Sequence, residues 1–420
     1  MGGGASGLLV AINIARIATT PFEVSIAEPR DVLGQGIAYS TTDDSHLLNV
    51  PAGRMSALVD DPQSFSNWLS IDANDFAPRR MYGSYLLELF HQSIAHSNLV
   101  TVSHIKHEVR KLFKVGIGFE AEFTEAGKQQ FDVVVLAIGH GKAIELDQAG
   151  ALSDSSLYMA DAWQSNAKSR QGVLLGIGTG LTFIDHALSH LRRDPNNIAI
   201  GVSRNGWLPQ PHLEKRAPAF DVPDSAKSSP KSVIDFIKES TDWRAAQDGV
   251  RHELPSIWHA WSEDQKQEFL TQHLRWWNIH RHRVSPEIQS EIVAQVASGR
   301  LRVIKAGITS LNPSESLILA RLTTGEEIPA NLVINCLGYE VSGNESLVTQ
   351  LIADGMAKPG PLNLGIATNF PRFGVQDATG QVLEDLFALG PVLFGERFET
   401  TAIPELREQA NQLAKEICRR

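Results

Sequence analysis

The first 27 residues change hydrophobic period once. Leu8, Ile12 and Ala15 recur at the spacing of one helical face, and Phe22-Glu23-Val24-Ser25-Ile26-Ala27 then alternates as a strand does. The exchange returns at mid-chain. An apolar run at Val173-Leu174-Leu175 precedes Leu181, Ile184, Leu188 and Leu191 on one helical face, followed by the strand Ile198-Ala199-Ile200-Gly201-Val202. Two further apolar runs, 132–140 and 332–339, each end in a small residue and a glycine. Strands alternating with helices predict an α/β fold. Residues 231–298 read as helical and carry Trp243, Trp258, Trp261, Trp276 and Trp277, whereas 215–235, rich in Pro, Ser, Asp and Lys, predict an exposed linker or mobile loop.

Glycines sit where these periods change. Gly2, Gly4 and Gly7 form GxGxxG ahead of the first predicted helix, and Glu28 ends the following strand about 20 residues on. This is the dinucleotide fingerprint: glycines admit a pyrophosphate to the backbone, the helix N-terminus faces its charge, and the acid takes the ribose hydroxyls. Two plainer readings of the opening residues are an N-myristoylation signal on Gly2 and a flexible glycine leader. The fingerprint should follow a buried strand, and only Met1 precedes Gly2. The first strand of this domain is therefore expected to be missing, and Met1 reads as an internal codon of a longer frame or as the start of a truncated copy.

A second fingerprint occupies Gly176, Gly178 and Gly180, followed by Leu181 and Thr182, here with its strand in place. Its next strand ends at Ser203-Arg204, a hydroxyl and a guanidinium where an NAD site would carry an acid. An acid repels a 2′-phosphate and Arg pairs with one bidentately, so NADPH is favoured over NADH. The alternative for Arg204 is an exposed charge at a strand end.

The expected architecture is two nested Rossmann-like dinucleotide-binding domains, with residues 1–165 and 331–420 forming the first and 166–330 the second, which carries a helical insert at about 231–298. A length of 420 residues agrees with two to three domains. Lys plus Arg is 38 against 48 Asp plus Glu, a net charge of −10, which argues against nucleic acid and anionic membranes as partners. No apolar run is long enough to span a bilayer. The two cysteines, Cys336 and Cys418, form no redox motif and no thiolate metal site and fit a reducing cytoplasm; no His, Asp and Glu spacing points to a metal.

At this point the residues resemble a known group. GGGASG, Gly34-Gln35-Gly36-Ile37-Ala38-Tyr39-Ser40, the segment 46–56, GTGLT at 178–182, Ser203-Arg204-Asn205-Gly206-Trp207-Leu208-Pro209 with His212, His280-Arg281-His282-Arg283, Leu389-Gly390-Pro391 and the segment 399–405 are similar to the bacterial FAD/NAD(P)-binding proteins with two dinucleotide domains. An FAD-dependent urate hydroxylase looks similar, as do, more distantly, the N-hydroxylating monooxygenases of amino acids. Leu337-Gly338-Tyr339 is similar to the ATGY-type motif of the latter, from which Cys336 and Leu337 depart. The resemblance implies FAD on the first fingerprint and NADPH on the second. The candidate FAD contacts are Gly2, Gly4, Ser6, Gly7, Glu28, Gln35, Asn49, Gly139, Gly390, Thr400 and Thr401. The candidate NADPH contacts are Gly176, Gly178, Gly180, Leu181, Thr182, Ser203 and Arg204.

With no cysteine pair to receive electrons, the acceptor is O2 or a soluble carrier, and the expected activity is a monooxygenase hydroxylating a small polar metabolite. The alternatives are a flavin reductase and a truncated nucleotide-binding protein without activity. Pro404 suits the first turn of a C-terminal helix whose N-terminus would face the flavin pyrimidine, and Gly390 and Gly395 suggest close approach to a ligand. Arg54 could meet phosphate, substrate or solvent. His280, Arg281, His282 and Arg283 are either an anion pocket or a helix end where cations meet the dipole. No general acid or base is identifiable.

Overall fold

The computed structural model describes residues 1–152, 155–163, 170–341 and 346–420. The fold is α/β. In the first lobe, strand Phe22–Ala27 pairs in parallel with Val100–Ile105, and Val382–Ala388 pairs in parallel with Val134–Leu136 and antiparallel with Gly374–Gln376. Residues 1 and 2 run between these two patches. The Gly2 N–H donates to Ala27 O at 2.9 Å, the Met1 amino group to Val135 O at 2.8 Å, and the Ala137 N–H to Met1 O at 2.9 Å. A two-residue bridge thus stands where the missing strand was expected. Helix Ala5–Ile17 follows it at once, its Leu8, Leu9 and Ile12 fully buried between helices Arg79–His96 and Ile403–Ile417.

The second lobe is one parallel sheet in the order Leu301–Lys305, Ile198–Ser203, Val173–Ile177, Leu332–Asn335, Tyr158–Met159. This corrects the expected boundary at 331. All four residues of Leu332–Asn335 are buried, so the strand needs cover on both faces and finds it inside the second sheet, with Ile334 opposite Gly176. The expected end of the first domain's opening segment at 165 is corrected too: Tyr158–Met159 is already the edge strand of this second sheet, and residues 164–169 lie outside the described residues. Helix Leu181–Arg193 covers one face, and an antiparallel meander, Ile308–Pro313, Ile318–Leu322 and Glu327–Ala330, covers the other.

Gly176 and Gly201 lie opposite one another on adjacent strands beneath the ring of Phe183. A Cβ on Gly176 would come 2.3 Å from that ring and one on Gly201 2.7 Å. Removing both side chains lets the fingerprint helix sit close on the sheet, which fixes the height of its N-terminus above the strand ends.

The insert forms helices Pro230–Glu239, Trp243–Ala260, Glu263–Glu268, Leu274–Arg281 and Pro286–Ala297. Its aromatic core reaches the C-terminal segment: the Trp258 ring lies 4.9 Å from Phe398, and the Trp258 Nε1–H donates to Gly395 O at 2.8 Å. The linker expected at 215–235 is only partly one. Asp224–Lys227 and Pro230–Glu239 are helical, with Val222, Ala226, Val233 and Ile234 buried. Ser229 and Pro230, which looked like loop residues, start a helix: the Ser229 hydroxyl accepts the Ser232 N–H at 3.1 Å. Among the described residues, no helix is long and apolar enough to cross a membrane.

Gly201→Ala should lower stability by about 1–3 kcal/mol through overpacking against Phe183, read as the shift of a urea midpoint. Adding Phe183→Leu to the same chain should recover part of the loss; no recovery would mean that the glycine pair does not serve the ring.

Candidate functional site

The two glycine turns have nearly the same geometry. Gly2 and Gly178 take φ of +92° and +103°, and a Cβ on either would meet a main-chain carbonyl, Ala137 O at 2.2 Å or Cys336 O at 2.5 Å. Gly4 and Gly180 are the N-caps of helices Ala5–Ile17 and Leu181–Arg193, at φ −74°, ψ −167° and φ −80°, ψ −166°. Neither helix has a side-chain cap or an acid in its first turn. A Cβ on Gly180 would meet nothing within 4 Å, and one on Gly4 would meet only Gly36, at 3.5 Å and beyond. Two open helix ends with free N–H donors and the positive end of the dipole are suited to phosphate oxygens.

Around the first turn the structure gathers most of the candidate FAD contacts. Gly7 lies against the turn, where a Cβ would come 2.0 Å from Gly2 O. The Gly34 N–H donates to Gly3 O at 2.8 Å, which lays the loop carrying Gln35 over the turn. Gly390, at φ +88°, backs Ser6, whose Oγ would be 2.9 Å from a Cβ there, and Gly139, at φ +77°, has open space beside it. Asn49 stands at the seam between the lobes, its carbonyl accepting from His212 Nε2 at 3.0 Å.

Glu28 is more constrained than a ribose acceptor should be. Its Oε1 accepts the Arg30 N–H and Nε–H at 3.2 and 2.8 Å, and its Oε2 accepts the Gly3 N–H and Arg30 Nη2 at 3.0 and 3.1 Å. These four bonds fill the carboxylate. Burial pushes its pKa up, and Arg30 and the main-chain donors outweigh this and hold it below its ordinary value. A ribose can reach Glu28 only after Arg30, whose side chain is half exposed, swings away. Thr400 needs a similar correction. Its side chain is fully buried, with Oγ1 at 3.0 Å from Gln409 Oε1 and 3.2 Å from Gly390 O, so the hydroxyl braces the Gly390 turn. Thr401 is half-buried beside the start of helix Ile403–Ile417, which has Pro404 in its first turn as expected. Gly395 makes room for main chain rather than ligand, since a Cβ would lie 2.2 Å from Leu364 O.

At the second turn Leu181 and Thr182 open the helix, both half-buried. Ser203 is engaged locally: its Oγ lies 2.8 Å from Thr179 Oγ1 and accepts the Gly206 N–H at 3.1 Å, which corrects its expected role as a free hydroxyl. Arg204 is exposed and, among the described residues, makes no ion pair or side-chain hydrogen bond.

Residues 1–141 match the profile of a family described as FAD-NAD(P)-binding. No curated protein matches the sequence. Among solved structures, the reduced ornithine hydroxylase of Pseudomonas aeruginosa superposes with a TM-score of 0.65 at 13% identity, over 100% of this chain and 97% of that one. The chain has the fold of that hydroxylase. The L-lysine 6-monooxygenase of Pseudomonas syringae shares this fold at a TM-score of 0.62 and 12% identity, covering 100% and 98% of the two chains. The bacillithiol disulfide reductase of Staphylococcus aureus does so at 0.60 and 15%, covering 99% and 96%.

Buried polar contacts hold the two lobes together. Ser189, on the second fingerprint helix, gives its hydroxyl proton to Asp43 at 2.7 Å, so its oxygen accepts from His46 Nε2 at 3.0 Å, leaving His46 Nδ1 to accept from Thr41 at 2.7 Å. Arg79 pairs with Asp185 of the same helix at 2.7 Å. A second set ties the insert to the C-terminal segment: Arg281 makes a two-pronged contact with Glu399 at 3.1 and 3.1 Å, and Arg251 pairs with Glu405 at 2.6 Å. The 280–283 cluster therefore divides. Arg281 is closed off by Glu399, and half-buried His280 stacks on Trp276 at 3.9 Å with its Nδ1 bonded to Trp276 O at 2.8 Å. His282 lies beside Arg281 and Glu399, its pKa pushed down to about 4 by burial and by Arg281. Arg283 alone of the four lines a cavity of about 500 Å3, together with Arg54 and with Arg216 and Arg244, which sequence reasoning did not single out. No local pattern marks Arg216 or Asp248, because they meet only through the tertiary fold.

Arg204→Ala should lower kcat/KM for NADPH about tenfold or more and leave that for NADH nearly unchanged, since the lost contact is charge-assisted. Steady-state kinetics with both nucleotides check this. Burial also holds His212 down to about 4, against an ordinary value of 6.5. Between those values the unfolded chain binds the proton and the folded chain does not, so stability falls as pH drops from 6.5 towards 4. Urea melts at pH 7 and pH 5 should show this slope, to which His46, His186 and His282, also held down to about 4, contribute, and His212→Gln should make it shallower without removing it.

Proposed function

We propose that the chain is an FAD-dependent, NADPH-using oxidoreductase of the monooxygenase type, with O2 and a small polar metabolite as its other reactants. The pair of matched, open glycine turns carries this reading: each offers a free helix N-terminus to a pyrophosphate, and their strands belong to two lobes of one fold. Full-length likeness to the ornithine and lysine hydroxylases supports it.

In this reading the first turns of helices Ala5–Ile17 and Leu181–Arg193 hold the pyrophosphates of FAD and NADPH, Glu28 takes the FAD ribose after Arg30 withdraws, and Arg204 selects the 2′-phosphate. FAD, when bound, supplies a hydride acceptor and a site for O2 reduction that no side chain offers. The N-terminus of helix Ile403–Ile417, capped by no side chain, stabilises negative charge placed against it. The loop 34–55 meets the second lobe where His212 Nε2 donates to Asn49 O at 3.0 Å, at the wall of the cavity of about 500 Å3. Cys336 is buried with its thiol pKa pushed up by burial, and Cys418 lies at the far end of the C-terminal helix, so neither is poised beside the first turn to take electrons from it. The acidic chain and its two unpaired cysteines fit small-molecule partners and a cytoplasmic setting.

The purified holoprotein should be yellow, bleach with NADPH under anaerobic conditions and recolour when O2 is admitted. Screening purines, amino acids and diamines should find one that diverts NADPH oxidation from peroxide release to hydroxylated product. A colourless protein that FAD cannot reconstitute would overturn the reading.

A further inference from the structure

We propose that Arg54, assisted by Arg216, holds a carboxylate of the substrate at the inner end of the cavity of about 500 Å3, so that the metabolite is a small organic anion. This rests on the oxidoreductase reading and names the substrate class it leaves open. Among the described residues, Arg54 makes no ion pair and no side-chain hydrogen bond, although it is half-buried. Its neighbours sharpen the excess of charge. Arg216 and Arg283 share the single buried carboxylate of Asp248, with contacts of 2.5 and 3.4 Å. Arg244 is occupied by Pro211 O at 3.0 and 3.1 Å. Burial, with the like charges of Arg251 and Arg216, lowers the Arg54 pKa to about 9, a strain that a bound oxyanion would relieve.

The cavity also contains acids, and their positions decide what they do. Asp242 caps helix Trp243–Ala260 by accepting the Arg244 N–H at 2.9 Å, while Asp75, Glu214 and Glu287 are exposed at the rim, where water screens them. The guanidiniums of Arg54 and Arg283 lie deeper, with Arg216 nearer the rim, and a charge removed from water requires a partner. Pro51, Phe76, Ala245 and Pro286 offer apolar wall for a carbon skeleton, and the volume suits a small metabolite. The segment carrying Arg54 meets the C-terminal helix: Arg407 reaches Ser56 O at 3.4 Å, and Glu405 of that helix is among the charges felt by Arg54. A fork of guanidinium N–H groups matches a carboxylate in plane, which an ammonium cannot do here.

Binding of succinate to the holoprotein, measured by calorimetry without NADPH, tests the proposal at constant ionic strength with sodium chloride and putrescine as controls. Succinate should bind and both controls should not. Arg54→Met should weaken succinate at least about tenfold, Arg54→Lys should keep part of the affinity, and saturating NADP+ should leave it unchanged. Arg216→Ala, at a partly exposed position, should also weaken it and serves if Arg54→Met fails to fold. Equal succinate binding by wild type and the Arg54 or Arg216 variants, an equal effect of chloride, competition by NADP+, or binding of putrescine instead would each overturn the proposal. Failure of the oxidoreductase reading shows separately, as a flavin that NADPH does not bleach while succinate binding still depends on Arg54.

Discussion

Two main-chain contacts made without side chains govern this molecule: residue 2 against the carbonyl of Ala137, and residue 178 against the carbonyl of Cys336. Each brings a glycine turn into touch with a segment that leaves a strand, Val134–Leu136 or Leu332–Asn335, where the chain crosses between lobes. Because a Cβ would sit well inside van der Waals contact distance of the carbonyl oxygen, and φ is positive at both sites, glycine is the one residue that closes either turn without displacing its neighbour. Once closed, the turn aims the following helix end into open space. The chemistry proposed for the molecule depends on those two directions.

The lobes are joined by different physics at their two seams. At one, Thr41, His46, Ser189 and Asp43 form a chain of hydrogen bonds around an imidazole kept neutral, its pKa lowered to about 4 chiefly by burial. At the other, Arg251 and Arg281 meet Glu399 and Glu405 as full charges removed from water. The second arrangement tolerates little change, since losing one partner strands a buried charge at a cost of about 3–5 kcal/mol. It also explains why Arg281 and Arg283, two residues apart, have unrelated surroundings. One turns into the ion network and the other into the cavity.

The parts legible in the sequence are those in which local period and local chemistry agree. Both fingerprints, their helices and the helical character of 231–298 follow from spacing and glycine placement. The parts that were not legible depend on distant residues. Leu332–Asn335 could be read as a buried strand but not assigned to a sheet, because its partners at 158–159 and 173–177 lie far away in sequence. The stretch 222–239 has loop composition, yet Ser229 and Pro230 start a helix there, and composition does not separate those two uses of the same residues. Glu28 was read as a free acid, and its saturation by Arg30, only two residues on, needed geometry that spacing does not encode.

Ser189 belongs to the helix whose other end is the open second glycine turn, so the link between lobes and that turn share one rod. One helix thus carries both the hydroxyl that binds the lobes and the turn left open to a ligand, so a shift of either is transmitted to the other through its backbone hydrogen bonds.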